Sequence, residues 1–188
     1  AQRAAADKLR GKHKDQKAKA EKRRDAITGK ITDEKKKKKV KILADLAIAG
    51  KKAKKIKSTV TADSADAACT EALAKAGLTT DNAVCEQDTS SRRKLLASYT
   101  IVMIPDPSVD SARVIASLES EGYTVTEQDE DPIAVLRTVD GVATADIDAL
   151  ETEADAAAEL GTGVADLNTE TETADAKVAS DSGAIRAG

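Results

Sequence analysis

Two cysteines, one histidine, one basic triplet and one acidic turn are the residues whose types and spacing could do chemistry. Cys69 and Cys85 are the only thiols in the 188-residue chain. An even count in a chain with little core material predicts a disulfide, which would close a loop of about 15 residues and contribute roughly 3 kcal/mol. Two buried free thiols are the alternative. His13 is the single histidine, with no second histidine and no cysteine near it, so it reads as a solvated helix residue rather than a metal ligand or general base. Arg92, Arg93 and Lys94 form a triplet that reads either as a processing-protease site or as charges blunting a strand edge. The cluster Glu127 to Asp131 could attract Ca²⁺ weakly, but it lacks the spaced oxygen ligands of an EF-hand. Gly161-Thr162-Gly163 lacks the third glycine of a dinucleotide turn, and no P-loop, CxxC or nucleophile elbow occurs. The expectation is a protein without catalysis and without a cofactor.

Composition points the same way. There is no Phe and no Trp, and only Tyr99 and Tyr123 carry rings. Aromatic side chains normally dominate core energetics. Here Ala, Val, Ile and Leu must fill that role, so burial against partners becomes attractive. Charge is divided along the chain. Residues 1–58 hold 22 Lys and Arg against 7 Asp and Glu, and the remainder holds 8 against 26. The total of −3 thus hides +15 at one end and −18 at the other. Such a bipolar chain predicts salt-sensitive attraction between unlike ends. No run of apolar residues is long enough for a membrane helix. A start at Ala1 without Met fits a mature chain trimmed of a leader, or a trimmed piece.

Three regions are expected. Residues 1–57 form a basic helical arm, with a break near Gly29 and a second helix capped by Thr32. In that helix Ile42, Leu46, Ala49, Ala53 and Ile56 make a heptad-like seam, although Gly50 interrupts it. Residues 58–139 alternate strand and helix patterns: a strand from Ser58, a helix from Ser64 to Gly77, a strand from Asn82 and another from Leu95 to Ile104. A helix capped by Ser108 and closed by Gly122 follows, then a strand from Tyr123 and a last one over 133–139. The order predicts an α+β fold, a ferredoxin-like βαββαβ domain with two helices on one face of an antiparallel sheet. Residues 140–188 form an acidic arm. Ile147, Leu150, Leu160, Val164, Leu167 and Val178 carry its seam, with a phase slip near residue 160. Both arms are expected to be long and coiled-coil-like, pairing in cis or with a neighbour.

Ser90-Ser91-Arg92-Arg93-Lys94-Leu95-Leu96-Ala97 resembles the junction in repeats of large secreted or surface proteins of microalgae and related protists. That resemblance covers about residues 58–139. It implies an extracellular ferredoxin-like or SEA-like module with an adhesive or scaffold role, and it transfers no catalytic residue. The composite expectation is a structural subunit of a secreted or vesicle-stored filament or appendage, extrusome-like, built with copies of itself or paralogous subunits. Lysine-rich helices binding nucleic acid are the alternative, weakened by the absence of aromatics interleaved with the basic residues.

Overall fold

Residues 2–89 and 98–185 are described by a computed structural model of the chain. The first helix, α1 (Gln2–Gly29), is built from Ala, Lys, Arg and Gln, which are good helix formers. The second, α2 (Glu34–Ile48), is capped by Asp33 rather than the expected Thr32: Asp33 Oδ1 accepts the Lys36 N–H at 2.8 Å. A carboxylate there also complements the helix N-terminus. The predicted continuation of this helix through Ile56 is corrected. Ala49 caps it, Gly50 takes φ +65°, and the Gly50 and Lys51 amides donate to Ala47 and Leu46 carbonyls at 3.0 and 2.9 Å. This pattern ends a helix. The alternating lysine–aliphatic stretch beyond it becomes strand β1 (Ala53–Thr61).

Helix α3 (Ala65–Lys75) starts on Ser64 as expected, and strand β2 (Ala83–Gln87) follows. Strand β3 (Ser98–Pro105) supplies the most buried row of the sheet. Helix α4 (Ser111–Ser120) is capped by Asp110, whose Oδ1 accepts from the Ala112 amide at 3.0 Å. Ser108, the expected cap, is instead tied to Asp106 Oδ1 through its amide and its hydroxyl. Strand β4 (Val125–Glu130) begins two residues after Tyr123. The strand expected over 133–139 is a helix, α5 (Pro132–Arg137). Proline is suited to a first helical turn, and Asp131 accepts the Ile133 amide at 3.1 Å. Helix α6 (Thr144–Ile185) then runs for 42 residues without a break at Gly161 or Gly163.

The four strands form one sheet in the order β2-β3-β1-β4, every neighbouring pair antiparallel. Ile56 lies opposite Met103 on one side and Glu127 on the other. One face carries Ile56, Val60, Ile101 and Met103 against Leu73 of α3 and Leu118 of α4. The second face is covered too. Ala53, Val102 and Ile104 join a core with Leu43 of α2, Leu136 of α5, Ile27 of α1 and Leu150 of α6. Helices therefore pack on both sides of the sheet, and segments from both ends of the chain share one core. No described helix is long and apolar enough to cross a membrane.

Candidate assembly interface

The contact that organises the chain ends is between α1 and α6. One row of α1 turned from solvent is Ala6, Leu9, His13, Gln16, Ala20, Arg23 and Ile27, at alternating spacings of three and four. Along α6 the matching row is Ile147, Leu150, Ala154, Ala157, Gly161, Val164 and Asn168, with the same alternation. That spacing keeps one stripe of a helix facing one partner. The helices run antiparallel. Lys30 Nζ meets Asp146 at 2.7 Å, Arg23 meets Glu153 at 3.2 Å, and Arg10 donates to Asn168. Gln16 Nε2 also donates to the Glu153 carbonyl at 3.4 Å.

The expected phase slip near residue 160 is thus a change of residue type, not of register. Gly161, rather than Leu160, holds the seam position. A Cβ there would stand 3.2 Å from His13 Nε2, and one on Gly163 would stand 3.3 Å from Leu9 Cδ2. Glycine in a helix interior costs about 1 kcal/mol relative to alanine. Here it lets an imidazole and a leucine lie against the partner backbone. His13, read from sequence as solvated, is a half-buried seam residue. The α1 stripe escaped sequence reading because three of its seven positions are His, Gln and Arg. The three-four spacing itself was the signal.

Other predicted seam residues go elsewhere. Ile42 and Leu46 of α2 are buried in the core beneath the sheet, and Ala49 is the exposed C-cap. Ala53 and Ile56 are buried on opposite faces of β1. Ile147 and Leu150 are buried on α6, while Leu160, Val164 and Leu167 are half-buried on it. The backbone of Val178 is in α6, and its side chain lies outside the described residues, as do Arg92, Arg93 and Lys94.

Electrostatics follows the same division. Hydrogen bonding to Glu153 raises the Arg23 pKa above its ordinary value. Hydrogen bonds to Asp129 and Glu127 raise that of Lys54. Lys55 engages Glu130 at 2.7 Å. The carboxylates expected in a turn at 127–130 lie instead in strand β4 and are held by lysines of β1, and no group of three or more acidic, His or Cys side chains converges on a metal position among the described residues. Tyr123 donates to Glu71 Oε1 at 2.6 Å, and this bond pushes the phenol pKa up to about 12. Cys69 and Cys85 are joined as a disulfide across 16 residues, tying α3 to β2.

No family model, no curated protein and no solved structure matches this chain.

Proposed function

We propose that this chain is a non-catalytic structural subunit. In this reading it assembles with copies of itself or close paralogues into a secreted or vesicle-stored filament or surface appendage. The observation that carries the reading is the α1–α6 pair. Lys12, Lys19 and Lys22 are exposed along α1, and Asp148, Asp155, Glu159 and Asp166 are exposed along α6. Each pair therefore offers a basic strip beside an acidic strip, and neighbouring pairs can lie basic against acidic. The antiparallel register also leaves roughly the last ten residues of α6 beyond Gln2, about 15 Å of helix, for a neighbour's basic α1 to cover.

The finer architecture belongs to the same reading. The series β1-α3-β2-β3-α4-β4 with strand order β2-β3-β1-β4 supports a ferredoxin-like layer, and the three-four seams support an antiparallel coiled coil. The Cys69–Cys85 bridge favours an oxidising compartment such as the extracellular space or a secretory vesicle. The likeness to algal and protist surface repeats rests on residues 90–97, which lie outside the described residues.

Sedimentation velocity and negative-stain microscopy of the full chain across salt concentrations test the proposal. Large species at low ionic strength should dissociate as salt screens the strips. The triple change Lys12→Glu, Lys19→Glu and Lys22→Glu should reduce them at low salt. A monomer at every salt and protein concentration would refute assembly. A salt-dependent shift of duplex DNA by the full chain would instead favour the nucleic-acid reading.

A further inference from the structure

Both edges of the sheet are unpaired among the described residues, and they differ in charge. Two hydrogen bonds fix which backbone groups face out at β2. The Asp88 amide donates to the Thr100 carbonyl at 2.8 Å, and the Asp106 amide donates to the Asn82 carbonyl at 2.9 Å. Bonding to a neighbour alternates along an antiparallel strand. The even-numbered residues of β2 therefore bond β3, while Cys85 and Gln87 turn their N–H and C=O groups outward. The Ala83 carbonyl also faces out, whereas its amide is taken by Thr79 at 3.1 Å. The same alternation carries through Ile101 opposite Ser58 and Lys57 opposite Thr126. It leaves Val125, Glu127 and Asp129 facing outward on β4.

Each edge opens into a groove. Beside β2, a groove of ≈590 Å³ between α2 and α3 is floored by Leu73, Val84 and the Cys69–Cys85 bridge. Lys35, Lys36, Lys38 and Lys39 stand along it. Lys35–Asp66 and Lys38–Asp81 are ion pairs between exposed groups, which contribute little and exchange readily, whereas Lys39 is held on Glu86 of β2 at 2.7 Å. Beside β4, a groove of ≈680 Å³ next to α4 exposes Ile115 and Val125 with Glu119 and Glu127. Strand β4 itself contains Glu127, Asp129 and Glu130 and no basic residue.

We infer that β4 of one copy adds to β2 of the next, so that the sheet continues head to tail through successive copies. This rests on the self-assembly reading above and names its contact. The occupant is a second copy because the two edges fit each other in several independent respects. With four alternating strands, β4 of a copy in the same orientation arrives antiparallel to β2. Full overlap sets Cys85 opposite Glu127, Gln87 opposite Val125 and Ala83 opposite Asp129. The outward residues of both strands carry their side chains on the α3–α4 face, so the helical layers stay on their own sides. On the α2 face, Glu130 of β4 comes opposite Asn82, beside Lys38 of the lysine rim. Pairing of β2 with β2 would oppose lysines, and pairing of β4 with β4 would oppose carboxylates.

The test uses Gln87→Pro and Glu127→Pro in the full chain. Each removes one outward N–H and leaves the internal ladder intact, a position where an edge tolerates proline. In a concentration series by sedimentation velocity, each variant alone should associate at least tenfold more weakly than the unaltered chain. Gln87→Pro keeps β4 and Glu127→Pro keeps β2, so a mixture should form a 1:1 pair and go no further. Amide exchange of the unaltered chain guards against a folding defect in the variants. The Cys85, Gln87, Glu127 and Asp129 amides should become protected only at associating concentrations. Assembly that is indifferent to both prolines, with no concentration-dependent protection, would overturn the edge contact while leaving assembly through the arms standing. A chain that stays monomeric throughout would remove both.

Discussion

Tyr123 shows how a single exposed contact becomes measurable in a chain so poor in rings. Its hydroxyl donates to Glu71, and the fold thereby favours the protonated phenol up to about 12, against an ordinary value near 10. Because the folded value is the higher one, the stabilisation is present in full below the unfolded pKa and is lost as pH rises from about 10 through about 12. In a Tyr99→Phe variant, phenolate absorbance reports Tyr123 alone. It should titrate near 12 when folded and near 10 in denaturant, and Glu71→Gln should bring the folded value down. Coincident folded and unfolded titrations would show that the bond does not persist in water. At this scale the sequence was partly legible. Cys69 and Cys85 could be paired because they fall on adjacent helical and strand patterns in a weak core. His13 could not be placed, since nothing in its neighbours reveals that its partner is a glycine more than a hundred residues away.

The elements were legible wherever local chemistry and tertiary packing agreed. Ser64 and Gly77 bound α3 as their types predict, because cap and turn preferences act within a few residues. Two misreadings arose where apolar spacing was allowed to outvote a breaker. Gly50 ends α2 although the aliphatic spacing continues into β1. Pro132 begins α5 although Ile133, Val135 and Val139 look strand-like. Pairing of the two arms was expected, but polar seam residues hid that α1 rather than the Ile42–Ile56 seam faces α6, and the pair makes a specific forecast about Gly161. Gly161→Ala should by itself gain less than the roughly 1 kcal/mol of helix propensity, because the new methyl crowds His13. In a His13→Ala background the same change should gain the full amount. Thermal or urea unfolding of the four proteins measures this coupling. Equal effects in both backgrounds would mean that His13 does not lie against Gly161.

For the molecule as a whole, the α+β class and the bipolar charge were legible in the sequence, but the layering was not. Nothing local says that residues 34–48 cover the second face of the sheet, since that depends on where Val102 and Ile104 point once β3 is paired on both sides. A small core with helices on two faces also depends on its one covalent tie. Reducing Cys69–Cys85 should lower the unfolding free energy by about 3 kcal/mol, read from urea midpoints with and without reductant at low protein concentration. A change under about 1 kcal/mol would indicate that α3 and β2 are held by packing alone. Antiparallel pairing has one more result at this scale. Because α1 leads toward the sheet and α6 leads away from it, Gln2 and the distal part of α6 share one tip of the helix pair, about 40 Å along α1 from its junction with α2. The molecule is wired like a plug. A label at Gln2 would therefore sit beside the distal part of α6, where the proposed contact between neighbouring arms lies, and would report on that contact directly.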